Sequence, residues 1–272
     1  MRCINKKCKK RLNYRNFSFF KLHPKLPCSI IYEILKLSLL EKKNGKEIHN
    51  YFISKYKNTP SYLTVCSVLK NMRRVIANVY KYTYRKNRIG GEPGSESVVA
   101  VDETLILHDI SGNQQWLLGA IETEKKEVRL EFVPNRNAST IKKFFLNHIK
   151  AGTHITYDGW QGYCFLKNDD SVWTDEEHNH GHGDFGHGKC STSHIENYWS
   201  RLKGGIEKIY GIMPKLDTIY YIREMEFRLD MDKTFKTFKR KETMICILLR
   251  ECYKLNKYVF FSDDFILNFD NY

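Results

Sequence analysis

The sequence predicts a mixed α/β protein in which a small helical region precedes a β-sheet domain. Apolar residues in 29–88 recur at the three- and four-residue spacing of amphipathic helices. From residue 98 onward the spacing changes to the period of two that is typical of strands, and later it becomes helical again. Between these parts, IGGEPGSES (89–97) is rich in Gly, Ser and Pro, a composition typical of a linker.

Three helices are predicted ahead of the linker. SIIYEILKLSLLEKK (29–43) and KEIHNYFISKYK (46–57) form the first two. The third starts with Thr59 as its N-cap and Pro60 in the first helical position, and it runs to about Lys86. Two short helices followed by a longer basic helix predict a helix-turn-helix over 29–88, although other small helical bundles share this outline. The residues predicted to contact nucleic acid are Arg73, Arg74, Lys81, Arg85 and Lys86.

The net positive charge of the chain comes from its first third. Residues 1–97 hold 22 Lys or Arg and 5 Asp or Glu, whereas residues 98–272 hold 23 and 26. Such an asymmetry favours a polyanionic partner for the first third. The alternative is a basic surface that serves only solubility.

The elements of the second part follow in a recognisable order. Strands are predicted over 98–107, 114–124, 127–135, 153–160 and, more weakly, 171–176; helices are predicted over 138–152 and from about residue 193, with helical spacing through 220–231. Three strands, a helix, two strands and a helix is the order of an RNase H-like mixed sheet. Residues 98–231 are therefore predicted to form one domain, followed by a helical C-terminal tail over 232–272.

Three acidic residues lie on elements that are expected to meet in such a sheet. Asp102 lies on the first strand, Asp158 at the end of the fourth, and Glu196 in the first turn of the helix after the fifth. In an RNase H-like sheet the first and fourth strands are neighbours and the late helix packs over their ends, so these carboxylates are expected to converge. Converged carboxylates repel one another unless a cation holds them. Oxygen ligands suit magnesium or manganese, and two ions would fit phosphoryl transfer.

A second interpretation of Glu196 is structural. Ser193 precedes it by three residues, the spacing of a capping box in which the carboxylate bonds to a backbone N–H. Lys203 lies seven residues after Glu196, nearly two helical turns. The acid and the base are therefore expected on one row of the helix, beside an apolar stripe formed by Ile195, Trp199, Leu202 and Ile206.

The motifs VAVDET, TYDGWQGY and HIENYW followed by SRLK resemble those of the ISXO-type and Merlin transposases, a DDE family. The resemblance implies an RNase H-like domain whose catalytic and metal-binding residues are Asp102, Asp158 and Glu196. It implies that Lys203 contacts the DNA of the transposon end. It further implies duplex DNA partners (terminal inverted repeats and target DNA) and a homo-oligomer on DNA.

The sequence departs from the family pattern in two places. Many relatives carry His-Thr-Asn-Thr where this chain has Ser191 to His194, and Asn179-His180 matches a family Asn-His; His180 and His194 are therefore candidate site-lining residues. Residues 1–28 resemble the second half of the family's zinc ribbon, with Cys3 and Cys8 as candidate zinc ligands. Because a zinc ribbon needs four ligands, zinc binding there is uncertain.

The stretch EEHNHGHGDFGHGKC (176–190) alternates Gly with His and ends in Cys190. We interpret it as a flexible loop ahead of the helix that carries Glu196. A dedicated transition-metal site is the alternative.

Composition excludes some classes of protein. No apolar run approaches the roughly 18 residues of a membrane span, and the N-terminus has no secretory h-region. We expect a protein that is neither membrane-bound nor secreted, located in the nucleus of a eukaryote or in the cytoplasm and nucleoid of a prokaryote. The favoured function is a DNA transposase. The alternatives are a domesticated DNA-binding protein without activity, and an RNase H-like nuclease.

Overall fold

The computed structural model describes residues 19–56, 59–83, 87–91, 96–108, 111–168, 171–178 and 188–234, with Ile245 and Leu249; the side chains of residues 79–83 are excepted. The chain divides into two compact units, one of residues 1–80 with 223–272 and one of residues 81–222. The predictions for Cys3, Cys8, Arg85, Lys86 and His180 lie outside the described residues, as does the side chain of Lys81. Within the described residues no helix is long and apolar enough to cross a membrane.

The first unit is helical. It contains α1 (Cys28–Leu39), α2 (Gly45–Lys55), most of α3 (Tyr62–Thr83) and, from Arg223 onward, α6 (Thr218–Thr234). Helix α3 starts later than the sequence predicts, because the Ser61 hydroxyl, rather than Thr59, accepts a hydrogen bond from the Thr64 N–H at 3.2 Å. The apolar faces bury Ile34, Ile48, Phe52, Val65, Val68 and Met72.

A buried charged cluster also holds this unit together. Arg228 on α6 donates to the carbonyl oxygen of Ser38 at 2.7 Å, near the end of α1, and pairs with Glu224. The same Glu224 lies 3.6 Å from the guanidinium of Arg73 on α3. Both Glu224 and Arg228 are almost completely buried. Because the last carbonyls of a helix have no partner within the helix, Arg228 satisfies groups that would otherwise be left without one.

The second unit contains a five-stranded mixed sheet. Its strands are β1 (Val98–His108), β2 (Gln114–Glu122), β3 (Val128–Val133), β4 (His154–Asp158) and β5 (Thr174–His178). Their spatial order is β3-β2-β1-β4-β5. The first three strands are antiparallel, and β4 and β5 run parallel to β1. This is the predicted RNase H-like arrangement.

The two faces of the sheet are covered by different helices. Val99, Val101 and Tyr157 face α4 (Ala138–His148) and share one apolar core with its residues Phe144 and Phe145. The alternate residues of the same strands face α5 (Ser193–Tyr210), since successive side chains of a strand point to opposite faces. Residues Asp102 and Glu103 therefore face opposite sides of the sheet.

The predicted linker begins inside the packed unit. Ile89 is 1% exposed and forms a parallel bridge with Ile149, donating its N–H to the His148 carbonyl oxygen at 2.8 Å. This pairing draws Ile149 into an extended conformation, which explains why α4 ends at His148 instead of continuing to residue 152 as predicted. Strand β5 is also shifted by a few residues from its predicted position, 171–176.

Candidate active site

Asp102 lies at the centre of the sheet face that α5 covers. Its partner across the antiparallel pair with β2 is Gly119. A Cβ atom at position 119 would lie 2.4 Å from the indole ring of Trp199, so only glycine leaves room for that ring. Trp199 uses this room to donate its Nε1–H to Asp102 Oδ2 at 2.8 Å. Gly119 on β2 thus allows Trp199 of α5 to hold the carboxylate of Asp102 on the neighbouring strand β1.

Asp158 is brought beside Asp102 by the parallel pairing of β4 with β1. The register pairs Ala100 with Thr156, so the two aspartates follow their paired residues by the same two positions. Both therefore point to the same face of the sheet. Asp158 is half-buried, and its Oδ1 accepts a hydrogen bond from the Trp160 N–H at 3.2 Å.

Glu196 reaches the same face from the first turn of α5. The capping-box interpretation is not realised, since the N–H of Ser193 bonds to the Ser191 hydroxyl at 3.2 Å and α5 has Thr192 as its N-cap residue, with no side-chain cap. The Glu196 carboxylate instead accepts a long bond of 3.4 Å from the buried Thr192 hydroxyl.

Electrostatics indicate that the three acids are close together. The pKa of Asp102 is raised to about 6, first by burial and then by the negative charges of Asp158 and, more weakly, Glu196. The Trp199 hydrogen bond and a backbone bond from Glu103 act in the opposite direction and lower this pKa. The structure therefore brings together all three predicted acids, and their mutual repulsion is the condition that a bound cation relieves.

Lys203 lies on the same helix face as Glu196, two turns further along. Its ammonium donates to the Thr104 hydroxyl at 2.6 Å and to the Leu105 carbonyl oxygen at 3.1 Å, both on β1. Burial lowers the pKa of Lys203, while the charge of Asp102 raises it. The lysine is thus held against the strand of Asp102.

A second carboxyl group lies behind Asp102. Glu103 faces the α4 side, where its Oε2 accepts a hydrogen bond from the buried Tyr163 hydroxyl at 2.7 Å. Among the described residues nothing hydrogen-bonds to its Oε1, which lies 3.8 Å from the guanidinium of Arg136. Burial, with the charges of Asp102 and Asp158, raises the pKa of Glu103 to about 7. Glu103 is therefore only partly ionised at neutral pH.

An arginine stacked between two indoles borders the site. The Arg136 guanidinium lies 3.8 Å from the centre of the Trp160 ring and 4.5 Å from that of Trp116. The Trp160 indole also donates to the Arg136 carbonyl oxygen at 3.0 Å. These contacts fix the turn that follows Asp158.

The remaining predicted site residues make contacts of other kinds. His194 contacts the Lys126 ammonium and the Gly188 carbonyl oxygen, each at 3.1 Å, and fixes the start of α5. Arg73, predicted to contact nucleic acid, is 8% exposed and pairs with Glu224 inside the helical unit; its burial removes it from the surface. Arg74, the next residue, is exposed.

Sequence reasoning placed Trp199 in the apolar stripe and missed its bond to Asp102. The available signal was chemical: a buried indole N–H requires an acceptor. Gly119, in an otherwise continuous apolar strand, was the matching signal for a close approach.

Comparison with known proteins gives a family and, among many distant structural neighbours, the two described below. A family model described as the ISXO2-like transposase domain matches residues 85–230. Among curated protein sequences, none matches this chain.

Both structural neighbours are viral. A chain of the simian T-cell lymphotropic virus intasome, solved in complex with PP2A regulatory subunit B56 gamma, is 12% identical with a TM-score of 0.35; the match covers 72% of this chain and 65% of that one, less than two thirds of its length. The catalytic core domain of BIV integrase is 13% identical with a TM-score of 0.32, covering 53% of this chain and 100% of that one.

Proposed function

Because the chain belongs to the ISXO2-like transposase domain family, we propose that it is a DDE-type DNA transposase that cuts transposon ends and joins them to target DNA. The observation that carries the proposal is the convergence of Asp102, Asp158 and Glu196 on one sheet face, expressed in the raised pKa of Asp102.

The three carboxylates fit divalent cations. They offer only oxygen atoms, they repel one another, and Asp158 and Glu196 remain partly exposed. These are the properties of a magnesium or manganese site that keeps positions open for phosphate oxygens. Two bound ions would supply Lewis-acid stabilisation of the attacking and leaving oxygens of a phosphoryl transfer.

The protein's own residues position these ligands. Trp199 holds one oxygen of Asp102. Trp160, through its backbone N–H, orients Asp158. Lys203, held on β1 beside Asp102, supplies a positive charge for a DNA phosphate.

The proposed reaction has two in-line steps. Water attacks the phosphodiester at the transposon end, the bond from phosphorus to the 3′ oxygen breaks, and a free 3′-hydroxyl remains. That hydroxyl then attacks a target phosphodiester, forming the new joint and releasing the target's own 3′ oxygen.

Recognition of DNA is assigned to the basic first third of the chain. Its excess of Lys and Arg suits phosphate contacts, and its three helices suit binding of the terminal repeats. We propose that the chain acts as a homo-oligomer on DNA, because two ends are joined to one target.

The test uses the full chain and a supercoiled plasmid that carries the genomic DNA flanking the gene on both sides. With magnesium, the wild type is expected to nick the plasmid at one defined position in each flank. Glu196→Gln should fold, with a single cooperative melting transition, and produce no nicks. Glu207→Gln, an exposed substitution on the same helix, is the matched control and should nick like the wild type.

Two other results would favour the alternatives. Tight binding to the flanks without nicking by the wild type would indicate a domesticated DNA-binding protein. Nicks scattered over the plasmid, without preference for the flanks, would indicate a nuclease.

A further inference from the structure

A second cluster of metal-ligating side chains lies on the α5 face of the sheet, at the edge formed by β4 and β5. It consists of His154 on β4, Glu176 on β5 and Cys190 in the turn before α5. One imidazole nitrogen, one carboxylate oxygen and the thiol sulfur all lie within 4.8 Å of one another. Residues 36 positions apart in the chain are thus brought together by the parallel pairing of the two strands and the return of the chain to α5.

We propose that His154, Glu176 and Cys190 bind one zinc ion, with water as the fourth ligand. The site goes beyond the proposed function and does not depend on it, since it would form whether or not the chain cuts DNA. Its donors are nitrogen, sulfur and oxygen, the set that zinc prefers, whereas the three acids near Asp102 offer only oxygen.

Each of the three ligands already has a partner that fixes its position. His154 Nδ1 lies 3.0 Å from the Thr174 hydroxyl, which can accept a hydrogen bond from Nδ1–H when Nε2 binds a metal. The Cys190 carbonyl oxygen accepts a hydrogen bond from the buried Thr156 hydroxyl at 2.8 Å. Glu176 presents one oxygen 3.6 Å from the buried His178 ring and the other 3.5 Å from His154 Nε2. Supporting partners of this kind are typical of protein metal sites.

Only a small movement is needed to bind the ion. Ligand atoms of tetrahedral zinc lie about 3.5 Å apart, given bonds of about 2.0–2.3 Å. The side chains of His154 and Glu176 are 30% and 46% exposed, so both can rotate inward. On binding, the Cys190 thiol loses its proton to solvent and the sulfur–zinc bond forms.

The site would fasten the start of α5 to the sheet. Cys190 stands three residues before the first residue of α5, and Thr156, which holds it, stands two residues before Asp158. An ion there would join the segment leading to Glu196 to both parallel strands beside Asp158. Zinc bound there would help to position Glu196.

The test uses cobalt(II) as a spectroscopic substitute for zinc in the full chain carrying Cys3→Ser and Cys8→Ser, which removes any N-terminal thiolate site. The protein is stripped with a chelator and titrated with cobalt in excess magnesium, so that the acids near Asp102 are occupied. We expect one cobalt per chain with thiolate-to-cobalt charge-transfer absorption and the intense visible bands of four-coordinate cobalt, both lost when zinc is added.

Variants separate the proposed site from other thiols. Cys190→Ser and His154→Asn should each abolish the charge-transfer absorption, whereas Cys164→Ser, which changes an exposed thiol elsewhere in the unit, should retain it. Zinc should raise the melting temperature of the Cys164→Ser protein by several degrees and leave that of Cys190→Ser unchanged. The metal-free melting curves show whether each variant folds.

Two results would overturn the proposal. One is the absence of thiolate absorption in the Cys3→Ser, Cys8→Ser protein, and the other is its persistence in Cys190→Ser. If the plasmid assay fails but the cobalt spectra are as expected, the proposed function is contradicted and the proposed zinc site is not affected.

Discussion

At the scale of single residues, Asp102 shows how opposing effects set the state of one carboxyl group. Burial and the charges of Asp158 and Glu196 favour its protonated form, and the Trp199 N–H favours the ionised form. Burial and repulsion prevail, since the pKa rises to about 6. In the absence of a cation the folded protein therefore holds this proton more tightly than the unfolded chain, whose Asp102 has a pKa near 3.8.

This difference predicts the sign of a stability change. Between the unfolded and folded pKa values the folded state binds more protons, so the free energy of unfolding falls as pH rises through that window and stays lower above about 6. Asp102→Asn keeps an acceptor for Trp199 and removes the charge. The metal-free variant is expected to be more stable than wild type at about pH 7.5, by on the order of 1–3 kcal/mol, and no more stable at about pH 4.

Urea unfolding in a chelator at the two pH values measures this effect. Glu207→Gln, the exposed control on α5, should follow the wild type at both. A lower stability of Asp102→Asn at the higher pH would mean that Asp102 is an ordinary structural carboxylate rather than a member of a repelling group.

At the scale of secondary-structure elements, the contact between α5 and β2 requires a glycine at position 119, whereas Gly204 of α5 plays no part in packing. A Cβ atom at Gly119 would overlap the Trp199 ring at 2.4 and 2.6 Å and meet Ile195 at 3.2 Å. A Cβ atom at Gly204, inside α5, would meet nothing within 4 Å.

The two alanine substitutions are therefore expected to differ in sign. Gly119→Ala should displace Trp199 and α5, lowering the free energy of unfolding by about 1–3 kcal/mol. Gly204→Ala should raise it by roughly 0.5–1 kcal/mol, since alanine loses less backbone entropy in a helix. Denaturant unfolding checks both, and equal effects of the two substitutions would exclude the close packing described for Gly119.

In the helical unit, the buried Arg228 joins α6 to the end of α1. Removing its side chain leaves Glu224 without its closest cation and the end of α1 without a donor. Arg228→Ala is expected to lower the free energy of unfolding by about 3–5 kcal/mol. Lys46→Ala, an exposed change on α2 of the same unit, should alter it by less than about 0.5 kcal/mol in either direction. A small effect of Arg228→Ala in thermal and urea unfolding would show that the cluster is not essential.

Periodicity was enough to predict most elements and their order, because burial of one face imposes a repeat on the sequence. Periodicity did not predict the bounds of elements that are weakly buried, or whose ends are set by local hydrogen bonds. Strand β5 has the polar sequence TDEEH and was misplaced by a few residues, and the start of α3 was misplaced because the Ser61 cap decides it.

The residues of the candidate sites also differ in whether the sequence could predict them. The acids could be predicted because their places on the elements fix where they meet. The zinc ligands could not, since nothing in the sequence around His154 shows that Cys190 returns beside it. Likewise, the burial of Arg73 depends on Glu224, far away in the chain.

At the scale of the whole molecule, the division of charge between the two parts of the chain predicts a division of DNA affinity. Lys70 and Arg74 lie four residues apart on α3 and are both exposed. Lys142 and Lys143 on α4 of the sheet unit are equally exposed and carry the same total charge, so they form a matched control pair.

If the first third binds DNA through its phosphates, Lys70→Gln with Arg74→Gln should weaken binding of the full chain to duplex DNA. It should also reduce the slope of log affinity against log salt by about 0.9 for each phosphate that the protein no longer neutralises, close to two in all. Lys142→Gln with Lys143→Gln should leave the slope unchanged. Fluorescence anisotropy with a labelled duplex at a series of salt concentrations measures the slopes. Because the net charge changes equally in both double variants, equal reductions would show that the DNA responds to net charge alone, and a reduction confined to the Lys142 pair would place the DNA on the sheet unit.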